Sequence, residues 1–375
     1  MTLWIENYFL CLIVSLVLAG IIIPSIIKIA FKRSLFDGID ERKIHRGLVP
    51  RLGGISFMPA FIFSFFLVIG CDIRLNVAGH HEALESAMVA VRFLLCALML
   101  LFLVGIADDL IGVRYRSKFL FQIIVGALIV ISGCYIKDLY GFVGIDSLPD
   151  IAGWIITVFL VIYVVNAINL IDGIDGLASG LSGVALIFYS YIFFRAGEYA
   201  DALLAGATLG TLLPFFYYNV FGSAENHTKI FMGDTGSLTI GMVLAFLSIR
   251  IFDLPKGTDV ADGNMMVVAI APIIVPCFDV ARVFLHRLRN GHNPFLPDKC
   301  HIHHKLLALG CRQWEALITI LVADVMFILL NLALSPYLNP TWIIAGDMVL
   351  WILLNVLITQ LIRNRERAQG VRLYE

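Results

Sequence analysis

Five short stretches of this 375-residue chain carry side chains suited to chemistry. They are Lys43-Ile-His-Arg-Gly-Leu-Val-Pro-Arg-Leu-Gly-Gly54, Ala107-Asp-Asp-Leu-Ile-Gly-Val-Arg-Tyr-Arg-Ser-Lys118 and Asn166-Ala-Ile-Asn-Leu-Ile-Asp-Gly-Ile-Asp-Gly-Leu177. The other two are Asn219 with Phe231-Met-Gly-Asp-Thr-Gly-Ser237, and Pro294-Phe-Leu-Pro-Asp-Lys-Cys-His-Ile-His-His-Lys305. Carboxylates with asparagine oxygens form a hard donor set that suits Mg²⁺ or Mn²⁺ and not zinc. No HExxH zinc-protease pattern occurs. Interleaved with the acids are cations able to hold a pyrophosphate: Arg46, Arg51, Arg114, Arg116, Lys118 and Lys305. A metal, positioned cations and a base to prepare the acceptor are what phosphoryl transfer requires, because it asks little covalent chemistry of the protein.

Taken singly, each stretch has a simpler explanation. Asp108-Asp109 could be a solvated helix boundary, Gly233-Asp234-Thr235-Gly236 a turn with a helix cap, and His301, His303 and His304 a surface loop. The simple explanation is weakest for Asn166, Asn169, Asp172 and Asp175. Their three-residue spacing puts all four near one face if the helix continues, and they follow directly on the apolar run 155–165. Acids at a membrane edge are costly and point to function. Gly173 and Gly176 suggest that the helix loosens there and lets backbone approach a ligand. Coincidence carries the argument, because all five stretches fall on one side of a membrane.

That membrane follows from composition. The chain is 60% hydrophobic and 15% charged, with a mean hydropathy of +0.91, against roughly 45–50% apolar and about 25% charged in a soluble domain. The 27 Lys and Arg nearly balance the 28 Asp and Glu, which excludes a basic nucleic-acid binder. Seven cysteines form no CxxC pair, so neither a zinc site nor a disulfide framework is expected. Eleven apolar runs of helix length occur, near 8–30, 54–70, 88–107, 119–135, 152–170, 178–194, 202–218, 236–252, 265–284, 315–334 and 341–361. The first has no basic run before it and no small-residue cleavage site after it, so a permanent span is expected. The expected fold is an all-α polytopic membrane protein, a single domain over 1–375. Of the Lys and Arg residues, only Arg74, Arg92, Lys137, Arg195, Arg250 and Lys256 fall on one side. The positive-inside rule then puts the N-terminus outside and the C-terminus, with all five stretches, in the cytoplasm.

The ordered motifs resemble the polyprenyl-phosphate N-acetylhexosamine-1-phosphate transferases. The matching stretches are Asp108-Asp109, Asn166 to Gly176, Phe231 to Ser237 and the late histidine loop, within a family-like core of about 43–335. His301-Ile-His-His304 is similar to the branch that uses UDP-N-acetylglucosamine, as is a last span over 341–361 ending in a basic tail over 362–375. The translocase branch instead has three adjacent histidines. The resemblance implies transfer of an N-acetylhexosamine-1-phosphate, foremost N-acetylglucosamine-1-phosphate, from a UDP-sugar to undecaprenyl phosphate. The reaction would run at the cytoplasmic face of a bacterial inner membrane, release UMP and initiate cell-envelope glycan synthesis.

The resemblance also implies site roles. Asn169 and Asp234 match the Mg²⁺ positions, and Mn²⁺ is an alternative metal. Asp108 matches the acid that activates the lipid phosphate, with Asp109 beside it, and Lys118 matches a pyrophosphate contact. Asp172 and Asp175 fall near the nucleotide, Asp175 as the uracil contact, with Asn166 and Asn219 also on the substrate side. Arg46 stands where relatives have a lysine. His303 and His304 match phosphate-side histidines, and His301 belongs to the branch pattern. Two other classes compete: a secondary transporter, which would place polar groups at the midplane within a repeated architecture, and a CDP-alcohol phosphotransferase, whose acids form one tight run. Here the acids are distributed and no repeat is visible. The exact sugar, the glycan pathway and whether the chain forms a homodimer stay open.

Overall fold

The computed structural model describes residues 2–36, 48–75, 81–254, 264–291, 293, 300–370 and 374, with 2 and 81–87 described by backbone alone. The chain runs through α1 (Thr2–Arg33), a 3₁₀ turn at Gly53–Ser56, α2 (Phe57–Leu75), α3 (His81–Ile111) and α4 (Tyr115–Ile131). A two-stranded hairpin, β1 (Asp138–Phe142) and β2 (Ile145–Ser147), leads to α5 (Asp150–Ile171), α6 (Leu177–Ala196), α7 (Tyr199–Val220) and α8 (Gly233–Phe252). Then come α9 (Met265–Ile270), which passes through a 3₁₀ turn into α10 (Ile274–Arg289), α11 (Ile302–Ala308), α12 (Gln313–Leu334) and α13 (Pro340–Gln369).

Among the described residues, ten helical segments are long and apolar enough to cross a membrane, with α9 and α10 together forming one of them. The eleventh run expected from sequence is α4. Its 17 residues reach about 25 Å at 1.5 Å per residue, near the hydrocarbon thickness of about 30 Å. This is a multi-pass, all-α membrane protein.

Helix α8 is the centre of the bundle. Nearly every residue from Thr235 to Phe252 is buried, and small residues let neighbours close on it. A Cβ on Gly241 would lie 2.8 Å from the Val165 Cα of α5, so only glycine permits that crossing. On α7, Gly206 and Gly210 receive the Tyr8 ring and the Leu12 backbone of α1 in the same way.

The hairpin falls between the spans expected at 119–135 and 152–170 and lies at the end of the bundle opposite the polar motifs. It is antiparallel, with Asp138 opposite Ser147 and Phe142 opposite Ile145. Val143 N donates to Thr341 Oγ1 of α13 at 2.7 Å, and Asn339 Nδ2 to Gly141 O at 3.1 Å.

Candidate active site

At the other end, three helix termini meet. Asp108 is in the last turn of α3, Lys118 in the first turn of α4 and Asp234 in the first turn of α8. The Lys118 ammonium donates to Asp108 Oδ2 at 2.8 Å and also to Asp234 Oδ2, so one cation is shared by two half-buried carboxylates. Asp108 Oδ1 accepts from Val113 N at 2.6 Å, closing a turn that Gly112 makes at φ +73°. Short spacing brings Lys118 back onto Asp108, while Asp234 arrives from 116 residues away.

Asp109 faces differently. Its Oδ1 accepts from Asp234 N at 2.7 Å, and its Oδ2 accepts from Thr235 N at 2.9 Å and Thr235 Oγ1 at 2.6 Å. It therefore caps α8 from another helix, placing negative charge where the exposed N–H groups favour it. The sequence alternative, in which Asp234 caps its own helix, does not describe this arrangement: no side chain of the helix itself makes the cap bond. That leaves the Asp234 carboxylate for Lys118. Gly233 has φ +72°, and a Cβ there would sit 2.6 Å from Asp109 Oδ2. Gly54 and Gly105 abut the backbones of Gly236 and Thr235 so closely that a Cβ on either would collide. Segment 50–54 is pinned alongside by Phe231 N to Pro50 O (2.9 Å), Gly53 N to Phe231 O (3.0 Å) and Gly54 N to Met232 O (2.9 Å).

The asparagine–aspartate motif divides at the end of α5. Asn169 Nδ2 donates to Ser237 Oγ at 2.8 Å, which puts it beside the first turn of α8. Asn166 makes a reciprocal amide pair with Gln122 of α4, at 2.7 and 3.3 Å. The helix stops at Ile171 and Asp172 turns out of it with ψ 58°, so the single face expected for all four residues holds only for the two asparagines. Asp172 is solvent-exposed and lies among the other charged groups of the site. Desolvation, reinforced by the charges of Asp234, Asp175 and Asp109 against the opposing Arg51, pushes it up to about 7. Asp175 Oδ2 accepts from the buried Lys229 at 2.6 Å. Asn219 is buried, its Oδ1 taking Gly176 N at 2.6 Å and its Nδ2 reaching Ile230 O at 2.9 Å. Both its amide groups thus brace backbone, fixing Gly176 (φ +80°) at the start of α6.

The histidine loop closes over this motif. His301 Nδ1 donates to Asp279 Oδ2 of α10 at 2.7 Å, and Asp279 Oδ1 takes Ile302 N at 3.1 Å and Arg282 Nη2 at 2.8 Å. His303 is buried, with neither ring nitrogen hydrogen-bonded. Its ring lies against Gly173, where a Cβ would collide with it. Desolvation, then the neighbouring His304 and His301, hold its pKa well below 6.5, so it is a neutral imidazole facing the turn between Asp172 and Asp175. The His304 ring is 4.2 Å from that of His303. Lys305, a candidate clamp by sequence, turns away into α13, and burial followed by repulsion from Arg282 lowers it to about 8. Arg46 lies outside the described residues.

The site thus gathers Asp108, Lys118, Asn169, Asp172 and Asp234 at one place, with His303 over the loop beside it. Its acids sit at helix ends and not at a midplane. Comparison with known proteins bears on the family. Residues 91–252 match the model of glycosyl transferase family 4. The undecaprenyl-phosphate alpha-N-acetylglucosaminyl 1-phosphate transferase of Yersinia pestis is 30% identical over 335 residues, 87% of this chain and 84% of that protein. Its counterpart in Escherichia coli (strain K12) is 30% identical over 84% of this chain and 81% of its own length. A probable undecaprenyl-phosphate N-acetylglucosaminyl 1-phosphate transferase of Bacillus subtilis (strain 168) gives the same figures. The chain belongs to the polyprenyl-phosphate N-acetylhexosamine-1-phosphate transferase family.

The structure brings in side chains that sequence reading passed over. Asp279 is a lone acid within an apolar run, 22 residues from the histidine it orients. A membrane acid was signal enough to flag it, but no motif surrounds it. Gln122 and Lys229 were likewise invisible as partners, since nothing local names what they touch.

Proposed function

We propose that this chain transfers N-acetylglucosamine-1-phosphate from UDP-N-acetylglucosamine to undecaprenyl phosphate, at the cytoplasmic face of a bacterial inner membrane. An oxygen of the lipid phosphate attacks the sugar-bearing phosphorus of the UDP-sugar. The bond between the two phosphates of the nucleotide breaks, and UMP leaves with that electron pair. The observation that carries the reading is the Lys118 ammonium shared between Asp108 and Asp234. It is a cation held by two carboxylates at helix ends, in a chain whose relatives bear the name of this reaction over most of their length.

The same observation bears on a divalent metal. No group of three or more His, Cys, Asp or Glu is arranged as a metal site among the described residues. Mg²⁺ does not need one, because it takes one or two carboxylates and completes its octahedron with phosphate oxygens and water. Lys118 already places positive charge against Asp234, and Asn169, beside the same turn of α8, can offer its amide oxygen, so the residues fit. Asn169 and Asp234 would hold Mg²⁺, which would neutralise charge on the pyrophosphate when bound. Asp108 has one oxygen on Val113 N and one on Lys118, a geometry that suits orienting Lys118 toward the pyrophosphate as well as preparing the lipid phosphate. The neutral His303 and its neighbour His304 border the nucleotide side.

We further read α4 as the eleventh span, with the N-terminus outside and the C-terminus inside. Purified protein in detergent, given a radiolabelled UDP-sugar panel, undecaprenyl phosphate and Mg²⁺, should make labelled lipid from UDP-N-acetylglucosamine and release UMP in equal amount. No labelled lipid from any UDP-sugar would overturn the proposal. In a Cys-depleted background, Ser147→Cys should label in intact cells and Ser117→Cys only after the inner face is opened; the reverse would overturn the orientation.

A further inference from the structure

Helix α11 has seven residues, too few to be stable alone, and its N-cap residue His301 makes no cap bond of its own. His303, which it carries, has no hydrogen bond of its own to fix its ring. Its place against Gly173 is therefore set by what holds the loop on either side. One side is α10, through Asp279 to His301 and Ile302 and through Arg282 Nη2 to Cys300 O at 2.5 Å.

The other side is the C-terminal helix. The buried Lys305 Nζ donates to Asn355 Oδ1 at 3.1 Å and Thr359 Oγ1 at 3.2 Å of α13. Arg365 of α13 donates to Leu309 O at the exit of α11. Beyond the helix, Tyr374 donates its hydroxyl to Cys300 O at 3.0 Å, with its ring 6.0 Å from the Lys305 ammonium. Tyr374 N donates back to Glu366 Oε1 at 3.0 Å, which sets Tyr374 against α13. Cys300 O, immediately before His301, is thus gripped from α10 and from the tail at once. Helix α13 is otherwise the least buried of the candidate spans, and the polar groups near its C-terminal end, Asn355, Thr359 and Arg365, reach this loop.

We propose that α13 and its tail are a brace for the histidine loop, with Lys305, Asn355 and Tyr374 as positioning residues that hold His303 against the Asp172–Asp175 turn. This rests on the reading of that loop as part of the nucleotide side of the site. Removing the brace lets α11 swing about its Asp279 anchor, so the UDP-sugar loses a wall of its pocket while the lipid phosphate does not. The brace differs from a direct clamp on pyrophosphate in one respect: Asn355 and Tyr374 matter as much as Lys305.

The test compares Asn355→Leu, Tyr374→Phe, Lys305→Met and a chain ending at Gly370, all otherwise full length and purified in detergent. KM for UDP-N-acetylglucosamine should rise about tenfold in Asn355→Leu and Lys305→Met, the order expected for lost hydrogen bonds to a charged group. Tyr374→Phe, which keeps the ring, should be milder than the shortened chain. KM for undecaprenyl phosphate should stay unchanged, whereas a merely destabilised protein would lose kcat with both KM values intact. Amide hydrogen exchange over 300–309 should quicken in the same variants. Unchanged exchange in all four overturns the brace. Faster exchange with unchanged KM overturns its positioning role, and an effect confined to Lys305→Met assigns Lys305 to the substrate instead. Independently, His303→Ala with wild-type transfer would overturn the reading of the loop as part of the site, and the exchange measurement would then decide the brace alone.

Discussion

Both ends of the helical bundle are charged, and the charges are organised in opposite ways. At the hairpin end two basic groups, one of them a guanidinium with several donors, close on three acids. Arg250 grips the buried Asp201 at 2.8 Å and Glu198 at 3.5 Å, while Lys137 meets Asp253 at 3.2 Å and lies 4.9 Å from the Tyr135 ring centroid. At the opposite end Asp108, Asp109, Asp172 and Asp234 crowd together, and a single ammonium serves two of them. Closed pairs hold helices together and want nothing further. An acid-rich cluster with a shared cation is stable enough to fold and still favours more positive charge, which is what the proposed Mg²⁺ site would require of the resting protein. If that contrast is correct, changes at one end should alter rates in folded protein and changes at the other should alter stability alone.

The largest effect should come from Asp234→Asn. Asparagine remains a good residue for a helix N-terminus but is a poor Mg²⁺ ligand, so transfer should fall to background while the protein elutes as a single monodisperse peak, and high Mg²⁺ should restore little. Near-wild-type transfer would place Asp234 with the structural pairs. Asp108→Asn should cost roughly 10²–10⁴ in kcat with little change in the UDP-sugar KM if it prepares the lipid phosphate. Equal losses in binding and turnover would make it the holder of Lys118 instead. At the far end, Arg250→Met leaves Asp201 buried and unpaired, which should destabilise the fold by about 3–5 kcal/mol; thermal unfolding would read this, with both KM values of the surviving folded enzyme unchanged. Asp109→Asn keeps one acceptor for the α8 terminus and loses the other, for about 1–3 kcal/mol, and its kcat should suffer less than that of Asp234→Asn. Lys137→Met, on an exposed pair, should shift stability by about 0–1 kcal/mol and leave transfer untouched. A loss of kcat in either hairpin-end variant would break the contrast.

The contrast was partly legible before any coordinates. Asp108, Asp234 and Asn169 stand in motifs whose chemistry can be read, and their convergence was expected. Asp109, Asn166 and Asn219 stand in the same motifs with side chains just as capable, yet they cap α8, lock α4 to α5 and brace Gly176. Nothing local separates the two groups. A carboxylate bound to two backbone N–H groups and one bound to an ammonium have the same one-letter code. The hairpin was missed for a similar reason: its three- to five-residue strands are too short to leave a period-two pattern, and contacts with α13 hold them.

The sequence by itself determined what depends on neighbours a few residues apart. Apolar runs of bilayer length dictate helices, because backbone polar groups in lipid must be satisfied within the segment. The eleven expected runs accordingly coincide with α1 to α8, the joined α9 and α10, α12 and α13. It also determined which short stretches are polar enough to do chemistry. Tertiary structure alone decided which polar atom meets which. Thr235 comes to Asp109 from 126 residues away, and Asn355 to Lys305 from 50. Such pairings follow from how helices cross and where glycines let them approach, and hydropathy carries no record of either.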